Sequence, residues 1–376
     1  MKAIVNIFWP WKGLSRLNKV LFASNIITGL CIVFSYLSTH INPTKTTFFA
    51  FFGLAYYVFL YLLLGFIIYW IIQKSKLYLW SILFILVGFN HFNNFFQINL
   101  FGIKIPKGEK SIKVMTYNVR LFDLYNWSEN KSTRDEIFSF LQKENADIIC
   151  FQEFYHQDNS KTFKTRDILL EKLEAKNIHE GYTHLLKKQQ HFGVVTFSKY
   201  PIIAKGEIKF SSDDNNNCIY SDIKINEDTI RVYNMHLASI RFQKADYDAI
   251  GESDSKTKYT NVSSKQKIIG RLSSAFKNRS EQVKTVKEHM NNSPYRVIAC
   301  GDFNDTPISY CYRIMTEGLY DAFKESGFGT SGTYIGKFPS FRIDYILHSK
   351  EINSYEYQKH SEELSDHHAV SCEVIL

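Results

Sequence analysis

Hydrophobic positions fall into two regimes along this chain. Over the first hundred residues they form long uncharged runs, at 20–44, 46–73 and 77–89, rich in Phe, Leu, Ile and Tyr. The first two each cover the roughly 20 residues that a membrane-spanning helix needs. The third passes at once into Asn90, His91, Asn93, Asn94 and Gln97, so it either spans with a polar end or lies at the interface. Counting it gives spans at about 20–38, 47–73 and 77–96. After residue 105 the apolar runs shorten and alternate with polar stretches. Strands are predicted at 112–118, 148–151, 193–197, 219–225, 230–235, 297–299, 343–347 and 369–376, and helices at 134–144, 166–176 and 265–290. This βα alternation predicts an α/β domain over 111–376, joined to a membrane region, 1–100, by a linker at 101–110.

Charge sharpens that division. Residues 1–100 carry seven Lys or Arg and no acid, while the remaining 38 basic residues face all 37 acids. The globular part is therefore near neutral, unlike the basic domain of most nucleic-acid binders. Four basic residues ahead of the first run favour a cytoplasmic N-terminus; three spans, the favoured reading, then place 104–376 on the extracytoplasmic side of a cell-membrane protein, and two spans return it. The six cysteines are scattered without a CxxC pair, which predicts buried thiols and neither a zinc cage nor a disulfide framework.

Five predicted strands end abruptly in carboxylate, amide or imidazole. They are Val114-Met115-Thr116-Tyr117-Asn118, Ile148 to Glu153, Val232-Tyr233-Asn234-Met235-His236, Val297 to Asn304, and Arg342-Ile343-Asp344, and the run Ser365-Asp366-His367-His368 precedes the last strand. Each taken alone has a plain structural reading as a turn or a solvated strand end. Together they suggest polar groups gathered at one edge of a sheet. Alternation places Asn234 with His236, and Asp302 with Asn304, on shared faces. Asp344, set among apolar residues, needs a partner, and His367 would supply one in an acid–imidazole pair.

In their order, the motifs TYNVR, FQEF, NMHL, GDFNDTP, RIDYI and SDHHAV resemble the endonuclease/exonuclease/phosphatase superfamily, which includes deoxyribonucleases, apurinic endonucleases, neutral sphingomyelinases and inositol polyphosphate phosphatases. The resemblance covers about 110–376. It implies a four-layered α/β sandwich, two packed mixed sheets with outer helices, and a divalent metal, usually Mg2+ with Mn2+ as the substitute. Glu153, Asn118 and Asp366 match the metal positions. His236, Asp302, Asn304, Asp344 and His367 match the catalytic ones, with Asn234 and Asn304 on the substrate. Either His367 or Asp302 is then the base. Asp305, Arg342 and Ser365 would support these groups, and His368 receives no role.

The resulting expectation is a membrane-anchored, metal-dependent phosphodiesterase or phosphatase. Its partners are the bilayer and a phosphoester substrate, a lipid or small molecule in preference to nucleic acid; no protein partner is inferable. The runners-up are a tethered nuclease and a catalytically silent membrane adaptor, and a phosphoesterase of the Asp-His-His family fails on the placement of that triplet. Substrate recognition is expected from 239–265 and from 330–341, where Tyr334, Lys337, Phe338 and Phe341 stand.

Overall fold

In the computed structural model, residues 13–99, 103–210, 215–240, 262–336 and 340–376 are described. Most of the 239–265 stretch, together with Lys337 and Phe338, lies outside the described residues. The chain divides into two compact units, one of residues 1–96 with Thr306–Arg313, the other of Gln97–Asp305 and Ile314–Leu376.

The first unit is helical. Its helices are Arg16–Ser38, Phe48–Leu54, Tyr56–Ile72, Tyr78–Val87 and Phe89–Phe95. Arg16–Ser38, capped by the Ser15 side chain on the Asn18 N–H, has 23 residues, about 34 Å at 1.5 Å per residue. It is the one described helix long and apolar enough to cross a membrane; the next two, bent by 60° at their break, make a second only if read as one span. The third apolar run departs from the expected single span. It divides at Gly88 into Tyr78–Val87 and Phe89–Phe95, and a ten-residue helix covers only about 15 Å.

This unit buries paired polar side chains beside its apolar core, while large apolar side chains face outward. Asn25 Nδ2 donates to Ser81 Oγ at 2.8 Å, and Trp70 Nε1 donates to Asn25 Oδ1 at 3.1 Å, all three buried. Ser35 Oγ donates to Phe52 O at 2.8 Å and Tyr36 Oη to Phe84 O at 2.9 Å. Outside stand Leu17, Val20, Ile27, Ile68, Ile72 and Val87, each more than half exposed. Ile308 packs in this unit among Ile32, Tyr36, Tyr56 and Leu60.

The second unit holds two six-stranded sheets, built from β2 (Ile112–Asn118), β3 (Ile148–Gln157), β4 (Asn177–Leu186), β5 (Gln190–Ser198), β6 (Ile202–Lys209), β7 (Asn217–Ile225), β8 (Asp228–His236), β9 (Arg296–Asp302), β10 (Leu319–Asp321), β12 (Asp344–Ser349), β13 (Asn353–Lys359) and β14 (Val370–Ile375). The short strands Gln97–Ile98 (β1) and Phe328–Gly329 (β11) pair apart from them. One sheet runs β13-β14-β2-β3-β5-β4, the other β10-β12-β9-β8-β7-β6. Each is antiparallel except for one parallel pair, β2 with β3 and β8 with β9. Helices Thr133–Glu144, Thr165–Lys172 and Val262–Asn291 complete the mixed α/β layers.

Alternation decides what each face meets. Ile112 and Val114 of β2, Ile148 and Cys150 of β3, and Val370, Cys372 and Val374 of β14 pack with Val232, Ile298, Cys300 and Ile346 of the other sheet. The opposite residues, Met115, Tyr117, Ile149 and Phe151, pack with Ile137, Phe138, Leu141 and Leu169 of the flanking helices. Free cysteines 150, 218, 300, 311 and 372 are buried, as their apolar surroundings predict.

Candidate active site

The site forms where the two parallel pairs end. In the second sheet, register places His236 beside Asp302 and Asp302 beside Asp344, so three neighbouring strands contribute one row. Gly301 makes this row reachable. Its φ of +147°, and the 2.0 Å that would separate an added Cβ from Met235 O, admit only glycine before Asp302. In the first sheet Asn118 pairs with Gln152, and the β3–β5 register shifts between Phe151 and Phe154. Glu153 sits in that bulge with φ +50°, a re-aimed residue of the sort bulges produce.

The side chains converge. His367 Nδ1 lies 2.9 Å from Asp344 Oδ2, and its Nε2 lies 3.8 Å from Asp302 Oδ2. Asn118 Nδ2 donates to Asp302 Oδ2 at 3.1 Å, and the Asn304 N–H donates to Asp302 Oδ1 at 2.8 Å. His236 Nε2 stands 3.6 Å from Asp302 Oδ2 and 3.9 Å from Glu153 Oε1. Asp366 joins through Arg120, whose Nε is 3.3 Å from Asp366 Oδ2. Glu153 and the Asp344–His367 pair thus share one pocket.

Electrostatics follow from crowding charges out of water. Burial raises the Glu153 carboxyl and the nearby Asp366 carboxylate raises it further, against the opposing pull of His367, the Asn118 amide and Arg120. Burial likewise lifts Asp302 to about 6, Asp344 adding to the rise and His367 opposing it. Burial alone would depress His367, but the carboxylates of Asp344 and Asp302 outweigh it and push the imidazole up to about 10.

The donor set fits a hard divalent cation. Glu153 and Asp366 offer carboxylate oxygens, the type such ions prefer, and a cation would relieve the repulsion felt by Glu153; Asn118 Oδ1 accepts the Arg120 N–H in this structure. A second grouping, Asp302, Asp344 and His367, has its ligand atoms within 4.8 Å of one another. Asp344 Oδ1 is buried and makes no hydrogen bond among the described residues.

Asn234 departs from its expected place on substrate. It shares the inward face with His236 but lies one pleat deeper and is fully buried. Its Nδ2 donates across to the other sheet, to Phe151 O, Val195 O and Thr196 Oγ1, and its Oδ1 accepts from Gln152 Nε2 at 2.8 Å. With Gln152 and Thr116 it forms a polar layer beneath the pocket that locks the sheets together. Ser365 Oγ supports the site by donating to Asn118 O at 2.8 Å. Asp305 pairs with buried Arg279, and Arg342 pairs with Asp321. Asn304 also donates its side-chain amide to Leu237 O.

Three contributions were not assigned from sequence. Gln152 stands in FQEF and Arg120 in TYNVR, where position in the motif was the available signal. Arg279, in the helix Val262–Asn291, had none. Tyr334, expected in a recognition loop, bridges to His367, with ring centroids 5.3 Å apart.

Paired sheets with acids, amides and imidazoles at one edge have the donors and charges that phosphoester hydrolysis uses. Residues 115–367 match the model of the Endonuclease/Exonuclease/phosphatase family, and the chain belongs to that family. Its members are phosphoester hydrolases, nucleases and phosphatases among them, and generally depend on a divalent metal. Residues 18–95 match a separate family, Domain of unknown function (DUF8431). No curated protein matches the chain. Among solved structures it is similar to an endonuclease/exonuclease/phosphatase from Beutenbergia cavernae, at 14% identity and TM-score 0.52, covering 71% of this chain and 72% of that one. Family proteins from Bacteroides thetaiotaomicron (18% identity, 71% and 98% covered) and Bacteroides vulgatus (15%, 71% and 100% covered) both give TM-score 0.50. These likenesses establish the fold.

Proposed function

We propose that this hydrolase is anchored in a bilayer by its N-terminal helices and cleaves a lipid or small phosphodiester. The observation that carries the reading is the large apolar surface of the helical unit around buried, paired polar side chains. Asn25, Ser35 and Ser81 are buried while Leu17, Ile27, Ile68 and Val87 face outward, the distribution expected where the surrounding solvent is hydrocarbon. A near-neutral catalytic region and tethering to lipid favour such a substrate over nucleic acid. The break of the third apolar run at Gly88 supports two crossings, with residues 104–376 on the side of the N-terminus; labelling of a C-terminal tag in intact cells would establish three crossings instead.

Roles follow from geometry. Glu153, Asp366 and Asn118 would hold Mg2+ or Mn2+, which when bound polarises the phosphoryl group and neutralises developing charge. Asp302, held by the Asn304 N–H and the Asn118 amide, takes the proton of the attacking water as the water oxygen bonds phosphorus. His367, oriented by Asp344, holds a phosphoryl oxygen, and His236 would give a proton to the leaving oxygen as its bond to phosphorus breaks.

Full-length protein in detergent, given magnesium, plasmid DNA and phospholipid vesicles, tests the substrate class. Lipid phosphate release with intact plasmid is expected; plasmid cleavage with inert lipid would establish the nuclease instead.

A further inference from the structure

Beyond the metal pocket, the backbone from Arg120 to Asp123 runs through four consecutive left-handed residues, with φ of 42, 55, 54 and 57°, none of them glycine. L residues take this conformation singly and at a cost, so a run of four needs outside support. Asn118 Oδ1 accepts the Arg120 N–H at 3.1 Å, and Phe122 is fully buried among Phe138, Phe151 and Phe154. The turn fixes where the Arg120 side chain goes.

That side chain is held on two sides. Its Nε lies 3.3 Å from Asp366 Oδ2, and its Cζ stands 4.6 Å from the centroid of the Trp127 ring. It makes no side-chain hydrogen bond among the described residues, and about a third of it remains exposed. A guanidinium fixed by a carboxylate at one edge and an indole on one face keeps its terminal amino groups for a ligand. Their fork matches the oxygens of a phosphate. Beside it, Tyr125 and Trp127 are 62% and 44% exposed, with ring centroids 5.0 Å apart.

We propose that Arg120, seated on Trp127, forms an anion subsite at the edge of the pocket for a non-scissile phosphate of the substrate. The inference rests on the lipid or small-phosphodiester reading above and narrows it to headgroups bearing a second phosphate. A choline headgroup would bring its ammonium against the Arg120 cation and is disfavoured, while the exposed Tyr125–Trp127 wall accepts the flat face of a ring.

The test compares dihexanoylphosphatidylinositol 4-phosphate with dihexanoylphosphatidylcholine as substrates of the full-length protein in detergent. The wild type is expected to prefer the first. Arg120→Ala should raise its KM roughly tenfold or more with a smaller change in kcat, the loss typical of charge-assisted hydrogen bonds. Arg120→Lys, a point charge without the fork, should recover part of it, and Trp127→Leu, which frees the guanidinium, should also raise KM. An unchanged substrate ratio in folded Arg120→Ala overturns the subsite. If the wild type hydrolyses neither lipid, the lipid reading fails by itself. The subsite is then judged by calorimetry with inorganic pyrophosphate and orthophosphate in EDTA. Tighter pyrophosphate binding that Arg120→Ala abolishes supports it, and equal affinities in the two proteins overturn it. Preference for an oligonucleotide, with an Arg120-dependent KM, overturns the assigned ligand in favour of a nucleic-acid backbone.

Discussion

Replacing Asp344 with Asn probes the centre of the site while preserving its shape. Asp344 is 1% exposed and its Oδ2 is 2.9 Å from His367 Nδ1. It is the foremost of the carboxylates that hold the His367 proton against burial. Asn keeps the volume and removes the charge. A hydrogen bond to a charged group contributes about 1.5–3 kcal/mol, and breaking a buried ion pair costs about 3–5 kcal/mol. The structure puts this pair between those cases, because Asp302 remains 3.8 Å from His367 Nε2 and retains part of the field. At about 1.4 kcal/mol per tenfold, a loss near 3–4 kcal/mol lowers kcat roughly 10²- to 10³-fold. The assay is steady-state hydrolysis of bis(p-nitrophenyl) phosphate by full-length protein at saturating magnesium, with melting followed by circular dichroism. If the two residues act as a unit, Asp344→Asn in a His367→Ala background should cost little more than His367→Ala alone. A kcat within threefold of wild type, at an unchanged melting temperature, would refute the pairing as a catalytic device.

Glu153→Gln should weaken Mn2+ binding in titration calorimetry by tenfold or more without unfolding the protein; wild-type affinity would remove Glu153 from the ligand set. Asn234→Leu should lower stability by about 3 kcal/mol, because buried carbonyls and the Gln152 amide lose partners. If Asn234 instead contacts substrate, KM will rise with little change in melting. His179 is buried beside Ser221, and burial, helped by Lys205, lowers its imidazole to about 4. The unfolded chain therefore binds the extra proton first, so stability is full above about pH 6.5 and falls by about 3 kcal/mol towards pH 4. Melting curves from pH 7 to 4 should be flatter for His179→Gln, and an unaltered slope would dismiss this histidine as a source of acid sensitivity. Gly301→Ala should fail to fold or lose most activity, given the 2.0 Å approach to Met235 O; a fully active variant would contradict the described exit of β9.

Central strands were legible because burial on both faces writes continuous apolar runs. The prediction for 112–118 coincides with β2, and those near 219–225 and 230–235 fall within β7 and β8. The strands of the two large sheets that escaped, β4, β6, β10 and β13, are those at sheet edges. β6 shows why, since Ile203, Ala204, Lys205 and Glu207 all face solvent and no alternation survives. Shared faces were also legible, but depth was not. Alternation put Asn234 with His236 correctly, yet only the opposite sheet, invisible to a period-two pattern, decides that Asn234 meets the backbone carbonyls of Phe151 and Val195. Arg120 went unassigned because a left-handed run in ordinary residues leaves no compositional trace, whereas Gly301 announced its turn. The third apolar run, 77–89, falls short of the roughly 20 residues a span needs, and its helix breaks at Gly88, near its end.

Strand order carries a consequence for biosynthesis. β14, although last in sequence among the strands, is inserted between β13 and β2, and His367 precedes it by only three residues. Until the C-terminal segment is made, the first sheet lacks an inner member and the pocket lacks the His367 imidazole. With the roles proposed above, hydrolytic competence would require His367 and β14 and would arise only after both have left the ribosome.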